Sequence, residues 1–263
     1  MNKFLVLGTA LAISSFFIAC GGGDSGTEKA AKSENPANKT ASSSGYSSIT
    51  VSDGGTIKGH VSFGGAIPPK QKLEVTKDVS VCGKVAHYNQ AVVVSDQGGL
   101  ANVMVKITNI AAGKSMDTAA GEVVLNQTGC AFKPHVTLLH VGQPCTILNS
   151  DGILHNIHTF SEINKPVNHA QPGFKKKMSQ TFDKAEIIRI ACDVHNWMGG
   201  YIVVADNPYY AITDADGNFE LADVPAGSYT LEYWQESLGT QTKEVAVAAG
   251  ASVEADAEFT TGS

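Results

Sequence analysis

The stretch that most constrains this chain is Cys192-Asp193-Val194-His195-Asn196-Trp197-Met198. A thiol, an imidazole and a thioether follow one another with two residues between each. They come directly after Ala185-Glu186-Ile187-Ile188-Arg189-Ile190-Ala191, whose β-branched residues in near alternation read as a strand. The three donors therefore sit where a strand ends and a short loop turns over. A soft set of this kind needs one more nitrogen from elsewhere in the fold. The sequence offers it in Asn149-Ser150-Asp151-Gly152-Ile153-Leu154-His155-Asn156-Ile157, a loop-to-strand passage upstream.

The composition agrees with a β-rich body. Gly is plentiful at 27 of 263 residues, Val, Ile and Thr recur in short runs between turn signals, and no long amphipathic helix is evident. The expected class is all-β. A formal charge of −6 argues against nucleic acid, which wants a basic face. Residues 1–19 carry Lys3, an apolar stretch and then Ala19, the plan of a secretory signal. With Cys20 directly after it, this resembles the bacterial lipoprotein signal, although Phe17 stands where Leu is usual. The resemblance implies acylation of Cys20 and an exported, membrane-anchored protein facing the periplasm or cell exterior. An ordinary signal peptide or a single anchor helix is the alternative. Residues 20–48 lack an apolar period and are expected to form a flexible linker.

One Cys, two His and a distant Met form the soft trigonal set that suits a blue-copper ion. His155-Asn156 upstream of Cys192-x-x-His195-x-x-Met198 resembles the plastocyanin and amicyanin type of cupredoxin. Phe132-x-Pro134, the Gly142 turn and a strand ending at Asn149 occur in the order found in that family, so the resemblance extends over residues 114–207. It implies a Greek-key β-sandwich binding one type 1 copper. His155, Cys192 and His195 would be the strong ligands and Met198 the weak axial one. Asn156 would tie the two ligand segments together by hydrogen bonds. His155 is preferred to His158, which an extended strand turns to its other face. In that family the histidine matching His195 is partly exposed in an apolar rim and is the electron port. Trp197, Gly199 and Gly200 would help to build that rim.

The flanks carry a second pattern. Thr213-Asp214-Ala215-Asp216-Gly217-Asn218-Phe219 places Asp-Gly between alternating runs, a hairpin signal. Pro225-Ala226-Gly227-Ser228-Tyr229-Thr230-Leu231 follows, and Gly59-His60-Val61 and Gly99 to Val105 look like matching first-half strands. Together these resemble the carboxypeptidase regulatory-like, transthyretin-like β-sandwich. The expected organisation is thus a discontinuous Ig/transthyretin-like sandwich, 49–113 and 208–263, with the cupredoxin of 114–207 inserted. Three domains in a row are the alternative. Asp214 and Asp216 do not start an EF-hand, because the closing Glu is missing: the twelfth position is Pro225.

Cys82 and Cys130 are the expected disulfide, since export permits one while Cys192 goes to metal and Cys20 to lipid. Closing a loop of about fifty residues is worth ~4 kcal/mol in the chain-entropy model. A bridge from Cys145 to either of them is the other pairing; otherwise Cys145 is a buried thiol. His135, His140, His158 and His169 are surplus, and a second metal site among them is the less favoured reading. The implied function is single-electron carriage, not enzyme catalysis, to a redox partner such as a cytochrome or dehydrogenase. Four protein donors leave no open position for a substrate. The membrane would be met through the lipid. The alternative is a non-redox module, either binding carbohydrate through the second sandwich or delivering copper. Some proteins of this look are labelled methylamine-utilisation proteins, yet nothing here specifies an amine.

Overall fold

The computed structural model describes residues 45–116 and 121–261. The signal segment, Cys20 and most of the linker lie outside the described residues. Among those described the chain is all-β: the one α-helical piece is a single turn, Val79–Cys82, and no helix is long and apolar enough to cross a membrane. The strands form two sandwiches.

One sandwich draws on both ends of the chain. Gly55–Gly64 pairs antiparallel with Asn218–Val224, and in parallel with Ser252–Glu254 and Ala257–Thr260. The facing sheet runs Tyr210–Ile212, Met104–Ile107, Gly227–Gln235, Gly239–Val247. Ile57, Val61, Val105, Ile107, Leu231 and Tyr233 are fully buried between them. Each such aliphatic side chain contributes about 1.5–3 kcal/mol of burial. The expected Asp-Gly turn is here: Asp214 Oδ1 accepts from the amides of Asp216 and Asn218, and Gly217 has φ +85° with Val61 O where a Cβ would stand. A side chain at Gly217 would collide with that backbone as well as strain its own.

The other sandwich lies between residues 123 and 205. Its first sheet has the order Lys177–Gln180, Cys145–Asn149, Val123–Gln127, Phe132–Lys133. Its second has the order Asn168–Gln171, His155–Phe160, Glu186–Ala191, Gly199–Ala205, Val136–His140. Leu125, Ile147, Ile157, Ile188, Ile190 and Ile202 fill the space between.

The two bodies share an apolar face, and the strand Gly199–Ala205 shows why. Ile202 and Val204 point into the second sandwich, whereas Tyr201 and Val203 point out to meet Met104, Tyr210, Ile212 and Trp234 of the first. A strand buried on both faces reads as a continuous apolar run, not an alternating one. Trp234 meets Tyr201 edge to face at 5.0 Å, and His135 pairs with Glu236 across the junction.

Several local expectations differ from what forms. Ile49-Thr50-Val51 is not a strand, and Ala91 to Val94 supplies only a bridge, Val94 to Leu100. The strand expected from Leu100 begins at Met104, because Asn102 turns left-handed (φ 63°) and Thr213 Oγ1 takes the Val103 amide. The last linker residues belong to the fold: Ser47–Ser48 pairs with Ala112–Gly113, and the Tyr46 hydroxyl donates to Lys114 O. Residues 72–88, assigned with the flanking sandwich, instead pack beside the second sandwich's core through Cys82, Val75 and Val81.

Candidate metal centre

Two antiparallel strands, Glu186–Ala191 and Gly199–Ala205, make a hairpin whose turn is Cys192 to Met198. The loop closes on itself: the Met198 amide donates to His195 O, and the Cys192 amide to Met198 O. Alongside, His155 opens the strand His155–Phe160. The second segment therefore arrives at the same end of the sheet as the turn. Asn156 locks the two together, its Oδ1 accepting from the Asp193 amide at 2.6 Å and its Nδ2 donating to Asp193 Oδ2 at 3.1 Å. His158, three residues after His155, faces outward and pairs with Asp193 Oδ1. That bond, then one from Asn168, holds the Asp193 carboxyl below its usual range.

The structure brings His155, Cys192 and His195 together, with their donor atoms all within 4.8 Å of one another. His155 Nδ1 lies 3.0 Å from His195 Nδ1, and Cys192 Sγ lies 3.7 Å from His195 Nδ1. Both imidazoles are 0 % exposed; Cys192 and Met198 are 2 % exposed. Met198 belongs to the same buried cluster as Cys192. Burial holds the His155 imidazole below its ordinary value, the neighbouring His195 adding to this against the pull of Asp151. The neutral form is the one that ligates a metal.

The outer ring nitrogens decide what the inner ones can do. His155 Nε2 donates to Asp151 Oδ2 and His195 Nε2 to Asp78 Oδ2, both at 2.9 Å. A carboxylate only accepts, so each Nε2 carries a proton, and in the neutral ring that ligates a metal each Nδ1 turns a lone pair inward. Two lone pairs and a sulfur, closed off from water, repel one another unless a cation stands among them. The gap is the right size. With bonds of about 2.0 Å to nitrogen and 2.3 Å to sulfur, the 3.0 Å and 3.7 Å separations subtend about 97° and about 119° at a shared ion. Those angles suit a trigonal N, N, S set, the kind that takes copper. The residues fit a single ion.

Two features carry no mark in the sequence. Asp151 is anchored from behind, with Oδ1 accepting from the Gly129 amide and Oδ2 from the Cys130 amide, so the segment around the disulfide aims the carboxylate at His155. Asp78 reaches His195 from 117 residues away, in a segment that Cys82–Cys130 (S–S 2.02 Å) ties to the sandwich. His195 consequently departs from the exposed port implied by the cupredoxin resemblance. The segment carrying Asp78 covers it, and Trp197, half-buried, donates its indole N–H to Cys130 O. Cys145 is a free buried thiol, pushed up to about 11 by burial.

Comparison with known proteins gives partial matches. Residues 198–260 match the carboxypeptidase regulatory-like domain. That span starts within the ligand loop and covers the later strands of the two-ended sandwich. Among solved structures, a purple cupredoxin from Nitrosopumilus maritimus is 18% identical, covering 32% of this chain and 100% of its own (TM-score 0.28). A copper-containing nitrite reductase from Thermus scotoductus is 23% identical over 32% of this chain and 22% of its own (TM-score 0.28). An oxidised amicyanin variant is 22% identical, with 35% and 89% covered (TM-score 0.29). Curated protein sequences give no match.

Proposed function

We propose that this chain is a mononuclear type 1 copper protein that carries single electrons and converts no substrate. The observation behind this reading is the pair of carboxylate-held imidazoles whose Nδ1 atoms face each other and the Cys192 sulfur in a buried pocket. His155, Cys192 and His195 would hold the ion, with Met198 as the weak fourth donor. Bound there, copper supplies a one-electron couple. The protein's part is to fix the donors so that little moves when charge changes. Asn156 joins the two ligand segments, the hairpin closes its own turn, and Asp151 and Asp78 hold the two rings from outside. Burial of every donor leaves no open position for a substrate, which supports carriage over catalysis.

The signal-like start and Cys20 place this head, in our reading, on a lipid anchor outside the inner membrane, serving a redox protein there. The two-ended sandwich would act as its frame, covering the outer face of the ligand-bearing sheet. Voltammetry of copper-loaded protein tests the function: a reversible one-electron wave is expected, absent from Cys192→Ala. A protein that loads copper yet gives no reversible wave would instead be a delivery or binding module.

A further inference from the structure

We propose that Asp78 is a positioning residue for the ligand His195, and that the strap it belongs to seals the ring edge expected to pass electrons. The inference rests on the copper reading above and goes beyond its ligand set. Three observations carry it. The first is the contact: Asp78 Oδ2 accepts from His195 Nε2 at 2.9 Å, and the ring is 0 % exposed although Asp78 itself is 38% exposed.

The second is what the aspartate gives up. Asp78 precedes the turn Val79–Cys82, and its backbone carbonyl accepts from the amides of Val81 and Cys82. An aspartate at that position ordinarily uses its carboxylate to accept a first-turn amide. Here the carboxylate makes no such bond, and the residue sits left-handed at φ 49°, ψ 39°. A local stabilisation is forgone while the side chain is spent on His195.

The third is how the strap is held. Cys82 closes the turn and is bonded to Cys130, whose amide donates to Asp151 and whose carbonyl accepts from Trp197. His87 Nε2 meets Cys82 O, and its ring lies 5.9 Å from that of Trp197. One disulfide thus ties both carboxylate–imidazole pairs into a single frame. Each ring is fixed with Nδ1 inward, and neither can swing away without breaking a bond to a tethered acid.

A carboxylate on a ligand's outer N–H makes that imidazole more basic and favours the more positive metal state. Removing its charge should favour the cuprous form. Across one ring, and with Asp78 partly screened by water, the effect is on the order of tenfold in the cuprous-to-cupric ratio at fixed potential, or 59 mV for one electron.

The test uses the full chain loaded with copper. Asp78→Asn keeps an acceptor and removes the charge; Asp78→Ala removes both. Asp53→Asn, in the other sandwich, makes the same change in net charge. Asp78→Asn should raise the potential by about that tenfold equivalent, while Asp53→Asn leaves it unchanged. Asp78→Ala should also weaken cupric binding 10–100-fold in a competition with a chelator of known affinity. Equal potential and equal affinity in wild type and both Asp78 variants would overturn the positioning role while leaving the copper site standing. Wild-type protein that takes up no copper would remove the copper reading itself, and this inference with it.

Discussion

Asp151→Ala would expose how much of the site is held by the protein before any metal arrives. Three donors converge on this carboxylate: the Gly129 amide at 2.6 Å, the Cys130 amide at 2.8 Å and His155 Nε2 at 2.9 Å. The carboxylate is 8% exposed, so little water can take its place. A buried donor left without a partner costs about 1–3 kcal/mol. Taking the low end for each of the three, to allow for some water entry, gives a loss of ~3 kcal/mol in metal-free protein. For a body of this size that is a fall of roughly 6–12 °C in Tm. Urea unfolding of metal-free protein, followed by tryptophan fluorescence, measures it. The two tryptophans help here, since Trp197 lies at the metal end and Trp234 at the junction of the sandwiches. Cupric affinity should fall about 10–100-fold in parallel, because His155 loses the bond that fixes its tautomer. A loss below ~1 kcal/mol with unchanged affinity would refute the idea that Asp151 orients the ligand.

Other outcomes follow from the same structure. Glu186 accepts from the amides of Glu162, Ile163 and Asn164 and from the side chains of Ser161 and Asn164. Burial opposes its ionisation, but these donors outweigh it and hold the carboxyl down to about 2, against 4.5 for a free one. The stabilisation is therefore complete above pH 4.5 and is lost as pH falls toward 2. Glu186→Gln should flatten acid unfolding across that window and cost about 1 kcal/mol at neutral pH, after discounting for its exposure. Cys145, buried and pushed up to about 11, should resist alkylation by iodoacetamide in the native protein and react in urea, as peptide mass mapping would show. Trp234→Ala removes the half-buried partner of Tyr201 at the junction and should cost about 3 kcal/mol, read from urea unfolding.

What the sequence carries legibly is local. Cys192, His195 and Met198 lie in one hairpin turn, and the apolar run before them announces the strand that places it. His155-Asn156 is legible because its two side chains take opposite faces, one ring going to the site and one amide to the Asp193 backbone. The Asp214–Gly217 turn is equally local. The polar strands Asn168–Gln171 and Lys177–Gln180 are not legible, because sheet edges exposed to water need no apolar period. Nor are Asp78 and Asp151. Their roles depend on where a distant segment comes to rest, and a lone aspartate before a short turn reads as an ordinary cap. The cover over His195 is the main departure from the cupredoxin resemblance. It comes from residues 72–88, whose hairpin of Lys72–Leu73 with His87–Tyr88 is too short to leave a strand pattern.

Whether four side chains grip one copper ion is tested most directly by titrating metal-free protein with cupric ion while recording visible absorption and metal content. One equivalent should raise an intense blue thiolate-to-copper band and then saturate, with Cys192→Ala colourless. Uptake without that band, or a colour that survives in Cys192→Ala, would contradict the proposed centre.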